Sequence, residues 1–216
     1  AFVARVGTGA SRNTQPLVVC WNWTTLASRF AITLHFNYDT GSQGVSCYLG
    51  DGSSNSIRGS HAAAGLPADT DTEVCVSYDG TQSTDATRLR IFTRPRGGTW
   101  TQQTLTQPQA VPASVPAIAQ PMTVGRWTGF GTPEFFNGYV GNLRWLSTSI
   151  TPSGTADIPL TACTAQWRFR ERTGTASAPD VGPTLATLST TYGSSGPARS
   201  IDGWIAAATP SGARLD

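Results

Sequence analysis

The chain has 216 residues, 15 basic and 13 acidic side chains, and a formal net charge of +2. That length makes one large β domain or two small ones with a real core. The charge is too small to argue for nucleic acid, and no run of about eighteen apolar residues exists, so no membrane span is expected. Gly 23, Pro 14 and a charged share of only 13% leave Ser, Thr, Asn and Gln to wet the surface, a composition that punctuates an all-β protein. Every basic residue is Arg, the better cation for stacked and interfacial contacts; GC-rich codon usage accounts for the same bias. No signal peptide opens the chain, and Ala1 is what removal of an initiator Met, or of a secretory leader, would leave.

Residues 2–6 read as a first strand and 17–23 as a second. A third covers 30–38, with Phe30, Ile32, Leu34 and Phe36 on one face. The turn 39–42 leads to a strand at 44–49, and 53–63 holds a short further one. Residues 73–78 form a strand closed by Asp79-Gly80. Residues 88–94 alternate Arg88 and Arg90 against Leu89 and Ile91, and 100–105 complete a hairpin after Gly97-Gly98. Pro108, Pro112, Pro116 and Pro121 make 106–121 an extended connection, because each removes a donor and fixes φ.

Two strand-like runs then flank a Gly/Pro loop, 123–127 and 135–145. The second places Tyr139, Gly141, Leu143 and Trp145 on one parity, with Asn137-Gly138 as a tight-turn dipeptide. Residues 165–172 alternate Trp167 and Phe169 against Arg168, Arg170 and Arg172. Candidate strands at 184–188 and 201–207 end the chain. Short strands at regular spacing, without an amphipathic helix, predict a two-sheet antiparallel sandwich or jelly roll.

The four cysteines, Cys20, Cys47, Cys75 and Cys163, contain no C-x-x-C pair, so zinc ribbons and thioredoxin-like motifs are excluded. Buried free thiols are the default reading, with a disulfide open to an extracellular protein. The seven Trp suit sugar stacking or interfaces; Trp145 and Trp167 are assigned to the core, and Trp127 with Phe130 to an exposed loop-bearing hairpin. Arg88, Arg90, Arg94 and Arg96, with Arg168, Arg170 and Arg172, are read as outward rows suited to docking acidic partner subunits. His35 and His61 accompany no nucleophile elbow and no metalloprotease helix.

Three segments carry a family resemblance. Val74-Cys75-Val76-Ser77-Tyr78-Asp79-Gly80, Arg88-Leu89-Arg90-Ile91-Phe92, and Val124-Gly125-Arg126 with the hairpin from Phe136 to Arg144 resemble successive strands of the laminin-G-like, concanavalin A-like jelly-roll superfamily. The run from Ala165 to Thr175 resembles the segment that normally opens such a domain, and 200–205 the strand soon after it; here both stand late in the chain. The resemblance therefore implies a jelly roll over 1–160 and a segment, 161–216, whose strands are permuted onto the same sandwich or swapped into a neighbouring one.

The resemblance also frames the sites. Relatives include glycosidases with two carboxylates on one strand, but the acidic run from Asp69 to Glu73 begins with Asp where those enzymes carry Glu, and reads as a solvated turn. Laminin-G-like domains often hold a calcium ion, which makes Asp51, Asp69 and Asp71 calcium candidates. The implied function is a non-enzymatic structural or binding module. Its expected setting is a virion surface, as a bacteriophage capsid decoration protein that contacts capsid subunits as a homo-oligomer. The alternative is a secreted or virion-borne carbohydrate-binding module, and a glycoside hydrolase ranks third. Neither nucleic acid nor a membrane is expected as partner.

Overall fold

A computed structural model of the chain describes residues 1–6, 15–20, 30–36, 43–50, 56–61, 66–106, 110–115, 122–127, 134–136 and 138–167, and the pairs 176–177, 188–189, 198–199 and 205–206. Within 30–36, 56–61, 126–127, 134–135 and the four pairs only the backbone is considered. Asp51, Phe130, Arg168, Arg170 and Arg172 lie outside the described residues.

The described chain is almost wholly β. β1 (Phe2–Val6) and β2 (Gln15–Cys20) are its first two apolar runs. β3 (Phe30–Phe36), β4 (Gln43–Gly50) and β5 (Ser56–His61) continue from β2 as a meander. β6 (Thr72–Tyr78) pairs with β7 (Leu89–Pro95), with one helical turn, α1 (Asp85–Arg88), between them. Arg88 thus closes a helix instead of opening a strand. β8 (Thr101–Gln102) pairs with β7, whereas β9 (Leu105–Thr106) pairs with β5. The expected strand over 100–105 thus completes its hairpin with β7 only through β8, while its far end joins the other sheet.

β10 (Thr123–Val124) pairs with β2, and β11 (Arg126–Trp127) with β12 (Glu134–Phe135) as a separate ribbon. β13 (Gly138–Gly141) pairs with β1, and β14 (Leu143–Leu146) with β15 (Cys163–Trp167) after a 3-10 turn, Leu160–Ala162. Short pieces follow: β16 (Ala176–Ser177) with β17 (Leu188–Ser189), and β18 (Ala198–Arg199) with β19 (Ile205–Ala206).

The strands build a seven-stranded sheet, ordered β18-β19-β13-β1-β6-β7-β8, and a six-stranded sheet, ordered β10-β2-β3-β4-β5-β9. All of these strand pairings are antiparallel. One core joins them: Phe2, Val6, Val74, Leu89, Ile91 and Val140 from the first sheet pack with Leu17, Val18, Val45, Cys47 and Leu49 from the second. Two antiparallel layers closing on a shared apolar interior have the form of an all-β sandwich. Late strands of the chain enter it too, since β19 pairs with β13, and Ala165 and Trp167 of β15 are buried in the core.

The period-two pattern over 135–145 is broken in the structure. Asn142 adopts φ +48°, a left-handed conformation that Asn tolerates better than most residues. It separates β13 from β14, so Val140 and Leu143, three positions apart, are both buried. Beyond the break β14 leaves the large sheet and pairs with β15, with a register shift between Trp145 and Leu146. Trp145, assigned to the core from sequence, lies beside that shift and is 42% exposed, although it shares the parity of buried Leu143. β12 pairs with β11 and β13 with β1, and Asn137 of the expected Asn137-Gly138 turn lies outside the described residues. Gly138 itself is required: a Cβ there would lie 2.1 Å from the Arg5 carbonyl oxygen across the β1–β13 pair.

A strap, residues 147–158, crosses the outer face of the large sheet. Ile150 N–H donates to Ser77 Oγ at 3.2 Å, Trp100 N–H to the Gly154 carbonyl at 2.9 Å, and Trp100 Nε1–H to the Ala156 carbonyl at 3.1 Å. Beneath it Cys75, Phe92, Trp100 and Ile158 form a second, smaller apolar cluster. The alternation of β6 and β7 explains both cores: Val74, Leu89 and Ile91 point inward, while Cys75 and Phe92 point under the strap.

Candidate functional site

Arg94 is the most buried charged side chain among the described residues, at 2% exposure. It pairs with Glu73 and with Asp157 and donates to the Thr155 carbonyl at 2.8 Å. Its guanidinium lies 4.5 Å from the Trp100 ring centroid. Burial opposes the charge, but Glu73 and Asp157 outweigh it and hold the Arg94 pKa above its ordinary value. This site clamps β6, β7 and the strap together, and Arg94 is not part of an outward row.

Its neighbours are also engaged. Arg88 donates to the Gln82 carbonyl at 2.7 Å and the Val111 carbonyl at 3.1 Å. Arg90 donates to Thr151 Oγ1 at 2.6 Å and Ser149 Oγ at 3.1 Å, tying down the start of the strap. Arg96 reaches Asp71 at 3.4 Å, and Asp71 also accepts from Arg5 at 2.6 Å. Asp69 sits at φ +53° with its N–H on the Val6 carbonyl. The acids at 71 and 73 thus face arginines instead of forming a paired carboxylate site. Among the described residues no three His, Cys, Asp or Glu side chains converge as a metal cluster. No helix there is long and apolar enough to cross a membrane.

The Asp79-Gly80 turn is fixed by its own side chains. Asp79 accepts from Thr81 Oγ1 at 2.6 Å, Gln82 Nε2 at 2.8 Å and Thr81 N–H at 3.1 Å, which lowers its pKa. Tyr78 OH donates to the Pro112 carbonyl at 2.8 Å and draws the Pro-rich connection against the sandwich.

A cleft of about 410 Å³ opens beside β14, where the Arg144 N–H donates to the Ala1 carbonyl at 2.6 Å and the Ala1 amino group to the Arg144 carbonyl at 2.7 Å. Its rim carries Trp145, Ser77, Tyr78, Ser147, Thr148 and Ser149, and no carboxylate lines it. Ser77 and Ser149 hydroxyls meet at 2.9 Å, so the strap also fixes this rim. A half-exposed indole beside several hydroxyls offers an apolar platform with hydrogen-bonding edges. The cleft was not legible in the sequence, because its lining comes from segments as far apart as Phe2, Leu49, Val115 and Trp145. The Trp127 backbone lies in β11, and Asp69 and Asp71 do not line the cleft.

All four thiols are free, with Cys20, Cys47 and Cys75 buried and Cys163 partly exposed. Burial raises Cys47 from about 9 to about 12 and Cys20 to about 11. A thiol whose folded pKa is raised stabilises the fold below its unfolded pKa and loses that contribution as pH rises through the folded value. Stability is therefore expected to fall between pH 9 and 12. At pH 8 iodoacetamide should label Cys163 ahead of Cys20, Cys47 and Cys75, read by peptide mass spectrometry; equal labelling of Cys47 would contradict its burial.

Comparison with protein-family profiles, characterised proteins and solved structures returns no match for this chain.

Proposed function

We propose that this protein is a non-enzymatic binding module on a jelly-roll sandwich of the laminin-G-like type, and that the Trp145 cleft holds a saccharide. The observation that carries the reading is the indole itself: a large apolar ring 42% exposed at the rim of a cleft edged by hydroxyls. Pyranose rings present one apolar face and a girdle of hydroxyls, which such a rim complements. A binding role, not hydrolysis, agrees with Asp71 and Glu73 being held by arginines away from this cleft. On a glycan panel, Trp145→Ala should weaken the bound saccharide by about 30-fold, as loss of an aromatic anchor does, with little change in thermal stability. A wild-type protein that binds no saccharide, or a variant that binds equally well, would overturn the assignment.

The virion setting, with the module as a capsid decoration protein, is supported by the family resemblance of 74–80, 88–92 and 124–144. In that setting Arg168→Glu combined with Arg170→Glu should abolish binding to particles while the circular dichroism spectrum is unchanged. Particle binding that survives the double substitution would remove the docking role.

A further inference from the structure

The cleft does not end at its rim. Phe2 of β1 and Val76 of β6 line it from the large sheet, Val18 of β2 and Leu49 of β4 from the other, Leu143 from β14 and Val115 from the connection. Phe2, Val18, Leu49 and Leu143 are core residues, so the opening leads between the layers into the apolar interior. A volume of about 410 Å³ falls in the range of small-molecule sites, roughly 300–1,000 Å³. Its polar side chains are Ser77, Tyr78, Arg144, Ser147, Thr148 and Ser149. A pocket that is apolar at depth and hydroxylated at its mouth matches a molecule with the same division.

We propose that the inner cleft takes the alkyl chain of an amphiphile, with the polar head at the Ser77–Ser149 rim. In this arrangement the saccharide of the preceding section is the head group and the chain its aglycone, although the inner site does not require a sugar. Each methylene withdrawn from water should tighten binding about fourfold until the chain fills the cleft.

The test is a homologous series of methyl, butyl, hexyl and octyl β-D-glucosides with the full chain, below micellar concentrations, followed by calorimetry or ligand-observed NMR, with 1-octanol as the sugar-free arm. Affinity should rise about fourfold per methylene. Val76→Phe, which places a ring in the inner cleft, should flatten that rise while the melting temperature stays near wild type; should Val76→Phe fail to fold, Val115→Phe takes its place. A series flat in the wild type, or a rise unchanged in the folded filled variant, overturns the alkyl site. Binding of 1-octanol without any effect of the glucosyl head supports the alkyl site and removes the saccharide reading. Binding of methyl glucoside as tight as octyl does the reverse.

Discussion

Arg94→Met should lower the unfolding free energy by about 3 kcal/mol, the range for breaking a buried ion pair. In a chain of this length that corresponds to a fall in melting temperature of roughly 6–12 °C. The substitution keeps most of the side-chain volume but leaves Glu73, whose side chain is 20% exposed, facing an apolar group, and removes the donor to the Thr155 and Ala156 carbonyls. Arg94→Lys should recover only part of the loss, since a single ammonium cannot serve Glu73, Asp157 and the strap carbonyls at once. Asp157→Ala, by contrast, should cost less than about 1 kcal/mol, because that carboxylate is 77% exposed. Urea denaturation of the three variants decides the matter. An Arg94→Met protein within about 1 kcal/mol of wild type would mean that the apolar cluster beneath the strap, and not the ion pairs, holds it.

Trp167→Ala should destabilise by about 3–5 kcal/mol, the cost of truncating a fully packed aromatic. Trp167 is 3% exposed and belongs to the core shared by both sheets. It is carried by β15, which the large sheet does not include. If β15 were a dispensable appendage, the variant would melt near the wild-type temperature. A cooperative loss, seen together by circular dichroism and by fluorescence, instead makes 163–167 part of the folding unit. Trp145→Ala is the matched control: it sits on the partner strand, directly opposite Ala165, but half in solvent.

Much of the architecture was legible in the sequence because it rests on local periodicity. The strands at 2–6, 72–78, 89–95, 30–36 and 43–50 lie where the apolar pattern put them. What was not legible depends on single backbone events. A positive φ at Asn142 lets Leu143 follow Val140 into the core, and Trp145, expected in the core, stands 42% exposed beside the register shift that follows it. Arg94 shows the limit from the other side. Its alternation predicted an outward side chain, and it does lie on the outer face, but the strap 155–157 covers that face, and nothing local in the sequence announces a partner 63 residues away. Asp71 was read as part of a solvated acidic turn and a calcium candidate, whereas its two arginines, at 5 and 96, come together only through tertiary pairing.

The position of β1 has a kinetic consequence. It lies between β13 and β6, so that Phe2 faces Val74 and Val3 faces Gly141. During synthesis β1 is made before either neighbour: it can meet β6 only once residue 74 has been added, and β13 only once residue 141 has. Non-local pairing of this kind places a protein among the slower folders, milliseconds to seconds. Throughout that interval Phe2, Val3 and Val6 are a ready target for chaperones and for misassembly with other nascent chains.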